Sequence, residues 1–218
     1  PFLGAKVTSG DIQIMSPSAA LHFNDRKPVG NQIAGIHVAV NGITEAFLRY
    51  ASQQRFYCVA PDEKMFEAFK AYAERAGRRA DDCEFLQETD VARFAEIGCF
   101  LKPEPTISSY AWARRQFDQK AYSICGLSHT MSTAKAMETV GNCVVNPMQS
   151  WDAIICPSVA IQNAIRALWA GWQEYLDERF GGVSKCPVQT PIIPLGIDCA
   201  DIARNRAPAL RAKQRALL

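Results

Sequence analysis

Short apolar runs rich in β-branched and aromatic residues alternate along the chain with segments of helical period. That alternation constrains the fold more than any single motif does. The runs cover 11–16, 56–60, 97–101, 121–125, 153–156 and 191–194. Strand, helix, strand is the order of βαβ units, and runs that are apolar without strict alternation suit strands covered on both faces. The chain therefore reads as α/β, a Rossmann-like, doubly wound, mainly parallel sheet with helices on both faces. Asp62 stands where it can cap a helix over 63–76, in which Met65, Phe66, Phe69 and Tyr72 recur near every 3.6 residues and which Gly77 stops. Ser158 follows the run 153–156 and can cap a second helix over 159–180, with Ile161, Ile165, Leu168 and Trp172 on one face. Both apolar stripes read as core.

With 218 residues and 48% hydrophobic content, the chain has ample material for a core. It holds no apolar run of membrane-spanning length, and its start is not of signal-peptide type. The expectation is a soluble, cytoplasmic protein. Cys58, Cys125 and Cys156 lie inside apolar runs, where free thiols act as small hydrophobes, and none of the eight cysteines forms a CxxC pair. With only His22, His37 and His129 to join them, no metal site is expected. Residues 204–218 hold five basic side chains and no acid, and without them the chain carries 19 basic against 22 acidic residues. A nucleic-acid footprint is thus not expected. A short segment with Trp112, Arg114, Arg115, Phe117 and Lys120 has the aromatic and basic character of a peripheral contact with an anionic membrane face, but Asp118 and the short length make a plain solvated helix the preferred reading.

In a doubly wound sheet, ligands bind beyond the carboxyl ends of the strands. Three places qualify here: the loop 16–35, the loop 126–133 and the turn at Pro157 and Ser158. The first leads to a helix beginning near Asn31, whose start can hold phosphate while Gly30 allows close approach. Gly30, Gly35 and Gly42 do not fall at GxGxxG spacing and no GK[ST] follows, which disfavours an NAD-type oxidoreductase and a P-loop. The second holds Ser128, His129 and Thr130 directly after a strand, and His129 is the best catalytic candidate because imidazole can donate to a sugar oxygen or to developing negative charge. His22, in the first loop, can face the same cleft. His37, inside a helix, reads as packing. Lys102, Pro103, Glu104 and Pro105 form a stiff turn that reads as a connector. Asp25, Asp81 and Asp82 read as solvated, and no GxSxG elbow surrounds a serine.

Taken in order, the run to Gly30 and its helix, the strand ending in His129, the aspartate-led strand from Asp152 to Ser158 and the final Ile193-Pro194-Leu195-Gly196-Ile197-Asp198 resemble the N-terminal domain of GT-B retaining glycosyltransferases of the family 4 type. Leu195 stands where that family's IPNGVD strand has asparagine. The resemblance implies an acceptor-side Rossmann-like domain over 1–198, with 199–218 as interdomain linker and start of the crossover. The nucleotide-sugar donor would be held mostly by a C-terminal domain that lies outside this chain. It further implies transfer to a sugar or lipid-linked acceptor with retention, His129 on the transferred sugar, and Gly30, Asn31, Gln32, Ser128 and Thr130 as substrate-binding residues. No cofactor or obligatory metal is expected. A non-catalytic binding or scaffolding domain of the same fold is the alternative.

Overall fold

The computed structural model describes residues 18–24, 35–182 and 185–197, together with Cys199, Ala203 and Arg215 singly; of Ile36 and His37 only the backbone is described. The expected strand over 11–16, the residues Asp25, Gly30, Asn31, Gln32 and Asp198, and most of 199–218 lie outside these described residues.

The described chain is α/β. Strands β1 (Ala20–His22), β2 (Phe56–Val59), β3 (Cys83–Leu86), β4 (Cys99–Lys102), β5 (Ser123–Leu127) and β6 (Ala153–Ile155) form one sheet in the order β3-β2-β1-β4-β5-β6, every neighbouring pair parallel. The order reverses between β1 and β4, which makes their carboxyl ends the topological switch point of the sheet. Helices α1 (Gly35–Tyr50), α2 (Glu63–Arg75), α3 (Val91–Ile97), α4 (Tyr110–Phe117), α5 (Ala134–Gly141) and α6 (Val159–Phe180) connect the strands. None of the described helices is long and apolar enough to cross a membrane.

Successive strand residues face opposite ways, and the chain uses this to build two cores. Leu21 and Cys58 pack with Leu48 of α1 and Phe69 and Ala73 of α2. Their neighbours Ala20 and Val59 join Phe100, Ile124 and Ile154 on the other face, against Phe94, Ala111, Val140, Ile165 and Trp169 of the later four helices. Phe56, Phe69, Phe94 and Phe100 are all fully buried, each contributing roughly 1.5–3 kcal/mol of transfer free energy. The caps follow the sequence pattern: Asp62 accepts from the Met65 amide and Ser158 from the Ile161 amide. Gly98 ends α3 in the left-handed conformation at φ +90°, so Ile97 belongs to the helix and β4 begins two residues later than the apolar run.

Three strand expectations need correction. The loop 16–35 contains a strand, β1, so His22 sits at a strand end and not in a loop. β3 has no counterpart among the apolar runs. The segment 191–194 is not a regular strand: the Pro191 and Pro194 nitrogens carry no hydrogen, and pairing is confined to bridges Ala153↔Gln189 and Cys156↔Ile192. Even so, the Ile154, Gln189, Cys156 and Ile193 amides all hydrogen-bond across this junction at 2.8–2.9 Å, which extends the parallel sheet beyond β6.

The membrane-facing reading of Arg114 is also corrected. Arg114 points into the protein, fully buried and paired with Asp152, while Trp112, Arg115 and Phe117 of the same helix are exposed.

Candidate functional site

Four titratable side chains converge beside the switch point. His22 ends β1, Lys102 ends β4, Glu88 follows β3 by two residues and Tyr110 opens α4. His22 and Lys102 are each only 8% exposed, whereas the Glu88 side chain is 48% exposed and forms the outer lip. His22 Nε2 lies 2.9 Å from Glu88 Oε1. A carboxylate only accepts, so Nε2 carries the hydrogen and donates to it. The Lys102 ammonium, 3.5 Å from the same nitrogen, is then an electrostatic neighbour of the ring. It also donates to the Tyr110 hydroxyl at 3.1 Å, and that hydroxyl in turn donates to Glu88.

The electrostatics follow from this geometry. Burial, reinforced by the Lys102 charge, pushes the His22 pKa below its ordinary 6.5 against the pull of Glu88 and Glu104, so the ring is neutral at neutral pH. Burial works against ionisation of Glu88, but the hydrogen bonds from His22 and Tyr110 and the Lys102 charge outweigh it and hold its pKa below 4.5. Burial and then the Glu88 charge push the Tyr110 hydroxyl far up, keeping it a donor. The result is an ionised carboxylate, half open to solvent and fixed from behind by two donors. An arrangement of this kind can grip hydroxyl or ammonium groups.

Neighbouring elements hold the cluster in place. Phe100 carries the Tyr110 ring, centroids 4.7 Å apart, and meets the His22 ring edge-on at 6.3 Å. The loop leaving Lys102 lies over β5, where the Leu127 amide donates to Glu104 O. Gly126 permits this approach, since a Cβ there would stand 2.9 Å from that oxygen and 2.7 Å from Ile107 Cγ2.

His129 stands two residues past β5 and clips the same loop. Pro103 O accepts from its Nε2 at 2.7 Å, which leaves Nδ1 as a buried nitrogen with no partner. Ser128 is fully buried; its hydroxyl donates to Thr130 O at 3.4 Å and its amide to Ile155 O at 3.0 Å. Thr130 is exposed, with its hydroxyl 2.7 Å from that of Ser132. His129 and His22 thus reach the same loop from opposite sides, through Pro103 and Lys102. The other expected ligands, Gly30, Asn31 and Gln32, lie outside the described residues, as does the side chain of His37.

Sequence reasoning missed Lys102, Glu88 and Tyr110. One signal was available for the first: a lysine that ends an apolar strand just before a proline stands at the binding edge of any parallel sheet. Among the described residues, no group of three or more His, Cys, Asp or Glu could hold a metal ion. No protein-family model matches the chain, and no curated protein is significantly similar to it.

Proposed function

We propose that this chain is the acceptor-side domain of a retaining glycosyltransferase, which moves a sugar from a nucleotide-sugar to an acceptor. The observation that carries the reading is the His22, Lys102, Glu88 and Tyr110 cluster at the switch point of a parallel sheet. It offers aligned hydroxyl-binding groups where such folds bind ligands. The absence of a dinucleotide fingerprint and the ordered resemblance from Gly30 to Asp198 support the same reading.

On this reading the acceptor sits on the Glu88 side of the cluster. His129 faces the transferred sugar once the Pro103 loop moves, and the loop of Gly30, Asn31 and Gln32 lies near the leaving diphosphate, whose charge backbone donors would stabilise. A second α/β domain holds the nucleotide and closes the cleft. Peripheral contact with the inner membrane face, through exposed Trp112, Arg115 and Phe117, fits a lipid-linked acceptor.

The second reading, a binding domain without catalysis, is favoured by one observation: neither ring nitrogen of His129 is presented to solvent. One assay separates the two. The protein as its gene encodes it is incubated with a panel of nucleotide-sugars and monosaccharides, following nucleotide release and the anomeric configuration of product. Donor-specific release with retention supports transfer. No release from any donor overturns it and leaves the binding domain.

A further inference from the structure

Cys99 and Cys125 are placed differently from the other described cysteines. Cys99 opens β4 and Cys125 lies within β5, and the register Cys99↔Ser123, Leu101↔Cys125 puts both on one face of the sheet, diagonally across neighbouring strands. Both are half-buried, and among the described residues neither belongs to either core. Their thiols are hydrogen-bonded to each other, with Cys125 as donor and the Cys99 sulfur as acceptor. Other thiols are engaged the opposite way: Cys83, Cys156 and Cys186 donate to the carbonyl oxygens of Arg79, Ile154 and Cys143, while Cys58 and Cys143 are sealed in the cores. A sulfur that donates is held as thiol, whereas one that accepts is stabilised as thiolate. Gly98 and Ser123, the chain and strand neighbours of Cys99, also line a surface cavity of about 350 Å³ together with Lys120 and Trp151, which gives a small molecule room beside the sulfur.

We propose that Cys99 is a covalent modification site for low-molecular-weight disulfides, with Cys125 as the positioning residue that activates it. The Cys99 thiolate attacks one sulfur of the disulfide R–S–S–R. A Cys99 S–S–R bond forms, the original S–S bond breaks, and the departing R–S⁻ takes a proton from water. The small disulfide is thus the oxidant, and one of its halves leaves reduced. The hydrogen bond from Cys125, helped by the Ser123 hydroxyl, holds the Cys99 thiol below its ordinary pKa, against burial and the charge of Asp152, which Arg114 already pairs. Cys125 is pushed up, first by its bond to Cys99 and then by burial, so it stays a donor. It does not close a bridge to Cys99: one strand spacing and two residues of rise put the Cα atoms roughly 8 Å apart, beyond the ~7 Å that a disulfide spans. The adduct therefore persists until an outside thiol removes it.

The test is independent of sugar transfer and uses the whole chain. The protein is alkylated with iodoacetamide from about pH 5.5 to about pH 9.5, and separately incubated with glutathione disulfide, each cysteine being followed by peptide mass spectrometry. Cys83 and Cys186, half-buried like Cys99 but with thiols that burial pushes up, are the internal controls. At pH 7 Cys99 is expected to be alkylated at least about tenfold faster than either, with a rate midpoint about one pH unit or more below the ~8.5 of a free thiol. Glutathione disulfide should leave a mixed disulfide on Cys99 and none on Cys125. Cys125→Ala removes the donor and should raise the Cys99 midpoint by about one pH unit. Cys125→Ser keeps a donor, should leave the midpoint low, and serves if the alanine variant does not fold. Cys99 reacting no faster than Cys83 and Cys186, a midpoint equal in the two folded Cys125 variants, or a disulfide between Cys99 and Cys125 would each overturn the assignment.

Discussion

Arg114 grips Asp152 through two parallel hydrogen bonds, Nη1 to Oδ1 at 2.6 Å and Nη2 to Oδ2 at 2.7 Å, with both side chains wholly shielded from water. Neither member is spare. The Ile124 and Gln149 amides also donate to Asp152 at 2.8 and 2.7 Å, and Arg114 donates to Tyr122 O at 2.8 Å. The pair thereby ties α4 to the start of β5 and to the turn that leads into β6.

Removing one member leaves a buried charge uncompensated, so Arg114→Met or Asp152→Asn should each cost about 3–5 kcal/mol, read from urea unfolding. Buried ion pairs can often be exchanged for apolar residues without loss, but not here. Arg114→Met combined with Asp152→Leu strands the Ile124 and Gln149 amides, at roughly 1–3 kcal/mol each. A double variant as stable as the parent would show that the pair is dispensable.

His22 should make the fold sensitive to mild acid. Its folded pKa lies below 6.5, so as pH falls the unfolded chain takes up a proton first. The stability it contributes is complete above 6.5 and is lost as pH drops from there to the folded pKa. Glu88, held below 4.5, contributes stability whose loss begins only at lower pH than that of His22. His22→Gln, which can still donate to Glu88, should flatten the slope of unfolding free energy between about pH 7 and 5.5. Equal slopes for parent and variant would place the acid sensitivity elsewhere.

What could be read from the sequence were elements with local punctuation. Asp62 and Ser158 cap their helices where the period begins, and β2 and β6 are uninterrupted apolar runs. β1 was hidden because it is three residues long and ends in a histidine. β3 was hidden because Glu84 interrupts it, and only the fold shows Glu84 matched by Arg55 and Arg93. The site behaved in the same way. His129 and His22 stood out as rare residues near strand ends, whereas Glu88 and Tyr110 acquire meaning only when β3, β1, β4 and α4 meet at the switch point. Arg114 looked like a surface cation because its partner is 38 residues away.

Gly126 should be intolerant of a side chain. Its Cβ would press on Ile107 and on the Glu104 backbone, and a backbone neighbour cannot rotate away. Gly126→Ala is expected to cost about 1–3 kcal/mol, read from urea unfolding, by lifting the loop that begins at Lys102. Gly171, inside α6 with nothing within 4 Å of an added Cβ, is the control. Gly171→Ala should stabilise by roughly 0.5–1 kcal/mol. If Gly126→Ala melts with the parent, the close approach over β5 is not holding the loop.

His129 has two separable duties, and two variants divide them. Its Nε2 hydrogen bond to Pro103 O is a structural clip, and glutamine can offer an amide N–H from a comparable reach. His129→Ala leaves that carbonyl without its donor and should lower stability by about 1–3 kcal/mol, while His129→Gln should recover most of the loss. A glutamine cannot change protonation near neutral pH and presents no imidazole nitrogen to a sugar. On the transferase reading, then, His129→Gln should fold like the parent yet release nucleotide at least about a hundredfold more slowly. Restored stability with restored turnover would reduce His129 to a clip and move the search for the sugar-contacting group to the Glu88 side of the switch point.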